Sequence, residues 1–297
     1  VWKLNKKYIT KLCSVCGKEF DSNLPNQEYC SYKCNQAIVK ERLNLSAKIS
    51  KNDKELFLSK IYRKGTQGKK VELIQEWLSL HGFGLKIDGD FGPATEWAVK
   101  SFQREERIIA CGIVGIDTFK RLIKPMKNAL KEIPKENRTL GEMVVAYASR
   151  HLNQHPREIG GQNKGPWVRL YMKGHEGIAW PWCAGFVSFI LKQACDTLGV
   201  SLPLKMSFSC DEIAKNASRE DNFWSGDSIS DKKKITPGSL FLEKKSSTDW
   251  THTGIVVAAR DDIFITIEGN TNDEGSREGY EVCGRVRGYK NKDFVLI

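Results

Sequence analysis

Ala179-Trp180-Pro181-Trp182-Cys183-Ala184-Gly185-Phe186-Val187-Ser188-Phe189-Ile190 joins a Pro-aromatic segment to a small-residue helix start, with the cysteine at the junction. Phe186, Phe189, Ile190 and Ala194 recur at helical spacing, which predicts a buried helix beginning near Cys183. A thiol at a helix N-terminus feels the positive end of the dipole and nearby free N–H groups, and both favour the nucleophilic thiolate. The same place also suits a small core residue. Local sequence therefore leaves two readings open, nucleophile or packing.

Around this stretch, residues 139–297 read as helices followed by strands. Thr139 and Glu142 form a capping-box pattern opening a helix through Val144, Val145, Ala148 and His151. Ser239–Leu242, Gly254–Ala258 and Ile263–Ile267 are short runs rich in β-branched residues. Helices followed by an antiparallel sheet predict an α+β domain. A cysteine nucleophile needs a base, a group orienting that base, and an oxyanion hole.

Five histidines compete for the base. His81 falls in a separate helical segment, His151 and His155 at the end of an expected surface helix and its loop, and His175 in a Gly-rich loop. His252 starts a buried strand, where its ring would be held rigidly. The next strand ends in Glu268-Gly269-Asn270, two polar side chains spaced by two. Either could hold the ring N–H and fix its tautomer. Cys195, Cys210 and Cys283 have no comparable setting and read as core or surface thiols.

Gly165-Pro166-Trp167-Val168-x2-Tyr171, Trp182-Cys183-Ala184-x-Phe186-Val187, Pro237-Gly238-Ser239, Thr251-His252-Thr253-Gly254-Ile255-Val256 and Ile267-Glu268-Gly269-Asn270-Thr271 together resemble the cysteine, histidine-dependent amidohydrolase/peptidase (CHAP) family. That resemblance implies a papain-like fold with Cys183 as nucleophile, His252 as general base and then acid, and Glu268 as orienter of His252. It implies for Asn270 a further polarising or oxyanion-side role, and no cofactor for catalysis. Ser239 departs from the Asp that relatives commonly carry after Pro-Gly.

Residues 65–125 read as three helices. Val71, Ile74, Leu78 and Leu80 mark the first, ended by His81-Gly82-Phe83-Gly84. Pro93 suits the first turn of the second, followed by Thr95, Ala98, Val99 and Phe102. Gly115-Ile116-Asp117-Thr118 caps a third through Phe119 and Leu122. Gly68-x2-Val71-x2-Ile74-Gln75, Asp88-Gly89-x-Phe91-Gly92-Pro93-x-Thr95 and Gly112-Ile-Val-Gly115-x2-Thr118 resemble the three-helix peptidoglycan-binding domain. The resemblance implies a non-catalytic module that docks cell-wall peptidoglycan, with Asp88 and the glycines shaping the fold.

At the N-terminus, Cys13-x2-Cys16-Gly17-Lys18 and Cys30-x3-Cys34 have the spacing of tetrahedral zinc ligands, and Gly17 suits a tight knuckle turn. The segment resembles treble-clef or zinc-ribbon modules. Four thiolates leave no open position for chemistry, so the zinc is structural.

The expected organisation is multidomain: a small zinc module (1–45), a basic helical connector (46–64), an all-α wall-binding domain (65–125), a linker (126–138), and an α+β papain-like catalytic domain with an antiparallel sheet (139–297). Net charge is +11. Residues 1–64 carry fourteen Lys and Arg against six Asp and Glu, leaving only +3 for the rest. That surplus allows weak contact with nucleic acid or another polyanion, or a merely solvated face. No run of eighteen apolar residues or secretory leader is visible, which predicts no membrane span and synthesis in the cytoplasm. The leading expectation is a peptidoglycan hydrolase of phage-lysin type, acting at the cell wall after release. An exported wall-attacking effector and a non-catalytic wall-binding adaptor are the alternatives.

Overall fold

A computed structural model of the chain describes residues 9–13, 17–22, 30, 55–58, 60–226, 232–272 and 279–297. The chain divides into two compact units, Val1–Lys124 and Pro125–Ile297. Among the described residues no helix is long and apolar enough to cross a membrane.

In the first unit, strands β1 (Ile9–Leu12) and β2 (Glu19–Ser22) pair as an antiparallel hairpin. Three helices follow among the described residues: α1 (Lys69–Leu80), α2 (Pro93–Glu105) and α3 (Ile116–Leu122). Their apolar faces bury Val71, Ile74, Trp77, Leu78, Ala98, Val99, Phe102, Phe119 and Leu122. Glycines 92 and 115 stand at the N-caps of α2 and α3 without side-chain capping bonds, and Pro93 occupies the first turn of α2.

Two buried glutamines hold the interhelical turns in the same way. Gln75 Oε1 accepts from the N–H groups of Asp88 (3.1 Å) and Gly89 (2.9 Å), while its Nε2 donates to Asp88 Oδ1, Asp90 O and Thr95 Oγ1. Gln103 Oε1 accepts from Gly112 N (2.9 Å), and its Nε2 donates to Ile113 O and Thr118 Oγ1. Gly89 and Gly112 adopt φ of 73° and 74°, the left-handed region that glycine enters without strain. The Asp-Gly turn is thus a structural device, stapled by an amide that satisfies buried backbone groups.

The basic connector over 46–64 lies mostly outside the described residues. Its described end is not α-helical: Tyr62 forms a β-bridge with Val114, exchanging hydrogen bonds in both directions. The linker over 126–138 is also corrected. Helix α4 (Lys124–Ala129) enters it, and Met126, Ala129 and Ile133 are buried. Ile133 N donates to Tyr147 Oη and Gln193 Nε2 to Ala129 O. The apolar residues sit at i, i+3 and i+7 among lysines and glutamates, so the polar composition concealed one buried face.

The second unit continues with α5 (Leu140–Leu152), α6 (Pro166–Tyr171), α7 (Cys183–Leu198) and α8 (Cys210–Arg219). Thr139 and Glu142 close both bonds of the capping box on α5. Then come β3 (Phe223–Trp224), β4 (Leu240–Lys244), β5 (Trp250–Ala259), β6 (Ile263–Thr271), β7 (Glu281–Gly288) and β8 (Lys292–Val295). They form one antiparallel sheet ordered β3-β8-β4-β5-β6-β7. Helix α7 packs on β5, β6 and α5. The chain is therefore multidomain, with a helical unit and a C-terminal antiparallel-sheet region.

Candidate active site

Cys183 is the first residue of α7 and is buried. Its preceding residue is pinned from the sheet: Asn270 Oδ1 accepts a hydrogen bond from Trp182 N at 2.9 Å. Asn270 sits at φ 57°, and the β6–β7 register shifts between Glu268 and Thr271. This irregularity re-aims the strand end, sending Glu268 toward His252 and Asn270 toward the start of α7. Asn270 thus anchors the start of α7 through its side-chain oxygen.

On β5, His252 Nε2 lies 2.8 Å from Glu268 Oε2. An ionised carboxylate only accepts, so Nε2 carries a proton and Nδ1 is left for other work. Among the described residues the buried Nδ1 meets no partner of normal hydrogen-bond geometry. The Cys183 thiol beside it still acts on the ring, and the ring on the thiol. Contacts of this kind tighten as charge develops.

Glu268 is fully buried and saturated with donors. Thr266 Oγ1 and Arg287 Nε reach Oε1, while His252 Nε2 and Arg287 Nη2 reach Oε2. Room for this carboxylate comes from Gly254, where a Cβ would lie 2.6 Å from Glu268 Cγ and 2.8 Å from Phe241 Cε1.

The charges follow from this geometry. Burial pushes Glu268 up, but hydrogen bonds and charge from Arg287 and His252 outweigh it and hold the carboxyl down at about 2. Burial pushes His252 down, yet Cys183 and Glu268 raise the ring to about 9. A hydrogen bond from Cys210, opposed by burial and reinforced by His252 and the Ala184 N–H, holds the Cys183 thiol well below its ordinary value. The arrangement stabilises a thiolate–imidazolium pair backed by a carboxylate.

His151 shows why burial alone does not choose the base. Expected at the end of a surface helix, it is instead fully buried, among Trp167, Tyr171, Phe186 and Phe189. Nδ1 bonds Tyr171 Oη (2.9 Å) and Nε2 bonds Gln193 Oε1 (3.1 Å), so neither nitrogen faces a sulfur. Burial drives its pKa down to about 4 and keeps it neutral.

Two contributors were not legible as such in the sequence. Arg287 lies on β7, a strand with no clean alternating pattern. Cys210, read above as a core or surface thiol, brings its Sγ to 3.9 Å from Cys183 Sγ. Ser209 caps the helix that Cys210 opens, its hydroxyl accepting from Glu212 N, but that local pattern carries no sign of which residue the helix meets.

Of the four expected zinc ligands, Cys16 and Cys34 lie outside the described residues. Cys13 is buried after β1; Gly17 N donates to its carbonyl (2.9 Å) and Gly17 adopts φ 69°. The Gly17 N–H held by the Cys13 carbonyl suits a thiolate knuckle. Among the described residues no group of three or more His, Cys, Asp or Glu is placed to hold a metal.

Residues 67–122 match the family described as "Putative peptidoglycan binding domain". The spore cortex-lytic enzyme of Bacillus cereus is 34% identical over 74 residues, covering 25% of this chain and 29% of that protein, so the chain spans less than a third of the curated relatives it matches. Among solved structures, the SleB N-terminal domain is 33% identical over 23% of this chain and 94% of its own, at a TM-score of 0.23. A peptidoglycan-binding protein from Clostridioides difficile is 39% identical over 25% and 42% of the two chains, at a TM-score of 0.21. The helical segment over residues 67–122 is thus similar to a peptidoglycan-binding family.

Proposed function

We propose that this protein is a peptidoglycan hydrolase that cuts an amide bond through a Cys183 thioester, within a papain-like, CHAP-type domain. The observation that carries this reading is the two-sided environment of His252: Nε2 held by the buried Glu268, and Nδ1 left unbonded beside a thiol at a helix start. The peptidoglycan-binding segment supplies the substrate class.

In this mechanism the Cys183 thiolate attacks the amide carbonyl carbon. First-turn N–H groups of α7 face the developing oxyanion, since such groups have no intrahelical acceptor. The imidazolium of His252 then protonates the leaving amine from Nδ1. Neutral His252 next takes a proton from water, which attacks the thioester and frees Cys183. Glu268 keeps the ring in the correct tautomer and offsets its charge. A wall-binding module on the same chain raises the local concentration of enzyme on an insoluble polymer.

Cys13, Cys16, Cys30 and Cys34 are proposed to hold a structural zinc that stands in for a hydrophobic core. Metal analysis of the purified protein should return one zinc, lost on replacing Cys13 and Cys16 by serine. Action at the cell wall after release, as a phage-type lysin, completes the reading.

Turbidity of purified cell walls tests the activity. Wild type should clear them and Cys183→Ala should not, with mass spectrometry of the soluble muropeptides identifying the new amine and carboxyl ends. Equal clearing by both proteins would refute the assignment of Cys183; clearing by neither would favour a binding adaptor.

A further inference from the structure

Cys210 opens α8 as Cys183 opens α7, so two helix starts bring their first-turn sulfurs together across 27 residues of chain. Each is seated by its own anchor. Asn270 holds the Trp182 N–H ahead of Cys183, and the Ser209 hydroxyl accepts from Glu212 N ahead of α8. Both thiols are buried and their Sγ atoms are 3.9 Å apart. A disulfide is about 2.05 Å long, so closing the gap asks each sulfur to move about 1 Å, within reach of side-chain rotation. Acyl transfer forms and breaks bonds at one sulfur only: Cys210 lowers the Cys183 thiol by its hydrogen bond, but its own sulfur takes no bond in that reaction.

We propose that Cys183 and Cys210 are a peroxide-reactive dithiol, in which Cys183 takes oxygen from a hydroperoxide and Cys210 resolves the product as a disulfide. In the first step the Cys183 thiolate attacks the distal peroxide oxygen. The O–O bond breaks, the released alkoxide or hydroxide takes up a proton, and Cys183 becomes a sulfenic acid. Sulfur loses two electrons and the hydroperoxide is reduced to an alcohol, or hydrogen peroxide to water.

In the second step Cys210 sulfur attacks the sulfenic sulfur. The S–S bond forms, the S–O bond breaks, and the departing hydroxide leaves as water with the Cys210 proton. A small dithiol reductant reverses the state by exchange and is itself oxidised to its disulfide. The lowered pKa of Cys183 suits it to the first step, and the nearby second thiol stops the sequence before the irreversible sulfinic acid. This rests on the proposed reactivity of Cys183 but not on which polymer the protein cuts.

The test is peptide mapping of the full-length reduced protein after a hydrogen peroxide series and alkylation. Wild type should yield a Cys183–Cys210 linked peptide pair, lighter by two hydrogens than the two reduced peptides, which dithiothreitol returns to free thiols. Cys195, whose Sγ donates to the Ser201 carbonyl, should stay alkylatable at the same doses and serves as the internal control.

In Cys210→Ser, two- and three-oxygen adducts of Cys183 should accumulate several-fold faster and resist dithiothreitol. Should that variant misfold by circular dichroism, Cys210→Ala and the wild-type linkage decide the matter. Cys183 remaining alkylatable after peroxide, or reaching the sulfinic state in wild type as fast as in the variant, would overturn the proposal. The readout is mass, so failure to clear cell walls would refute the hydrolase while leaving this chemistry standing.

Discussion

Arg287 donates from Nε to Glu268 Oε1 at 2.8 Å and from Nη2 to Glu268 Oε2 at 2.5 Å, gripping both oxygens of the carboxylate that holds His252. A bidentate fork fixes the carboxylate plane, which a point charge does not. The charge of Glu268 survives full burial because Arg287 and His252 both face it.

Removing that fork should therefore damage both stability and turnover. Arg287→Ala leaves a buried carboxylate with only His252⁺ to offset it, at a cost of about 3 kcal/mol. Arg287→Lys should recover much of the stability but less of the kcat, because one ammonium cannot hold both oxygens. Urea unfolding and wall-clearing rates of the two variants check this. Equal kcat for Lys and wild type would show that charge alone suffices.

The rate should depend on pH as a bell. The active pair needs Cys183 deprotonated and His252 protonated. Activity should fall on the alkaline side as pH passes about 9, where His252 loses its proton. The acid limb should lie well below an ordinary thiol pKa, since Cys183 is held down by Cys210 and His252. Glu268→Gln removes a negative charge from the ring, so its alkaline limb should move to lower pH. Profiles of kcat/KM for both proteins read this directly, and an unmoved limb in Glu268→Gln would separate the carboxylate from the ring.

Stability should also fall on the acid side of neutral pH. His151 has a folded pKa lowered to about 4 from 6.5, so the unfolded chain binds the extra proton between those values. Its contribution is present above 6.5 and lost as pH falls toward 4, on the order of 3 kcal/mol. His252, raised to about 9, gives no opposing slope: its extra proton in the folded state is matched by the one that the lowered Cys183 thiol gives up, so the pair binds as many protons folded as unfolded between 6.5 and 9. Chemical denaturation from pH 4 to 9 should show stability lost on the acid side, and His151→Gln should flatten that loss.

Asn270→Ala should act on the nucleophile without touching it. The Trp182 N–H loses its acceptor, which costs about 1–3 kcal/mol for a buried donor left unsatisfied. Loss of the anchor lets the start of α7 drift, so kcat should fall more than KM rises. Asn270→Asp keeps the acceptor and should recover part of the rate. Unchanged kcat in the alanine variant would make Asn270 a fold residue only.

In the helical unit, Gln75→Ala should lower the unfolding midpoint of the full chain's first transition and weaken wall retention together. Five hydrogen bonds to the Asp88–Thr95 turn disappear with one amide. Pelleting with purified walls and a thermal melt report the two effects.

Local pattern determined much of this protein. Apolar periodicity placed α1, α2 and α3 and the start of α7, because a helix buries one stripe whatever lies beyond it. The β-branched runs placed β4, β5 and β6, and the Thr139–Glu142 capping box is closed by residues only three apart. What tertiary structure decided was every meeting across long sequence distance. The 27-residue gap between Cys183 and Cys210, the Arg287 fork on Glu268 and the Asn270 anchor on Trp182 exist only once α7, α8, β6 and β7 are packed. His151 and His252 are alike as letters, and differ because one ring has partners on both nitrogens while the other keeps one open beside a thiol. Hydrogen bonding and charge act over a few ångströms of space, and sequence records only distance along the chain.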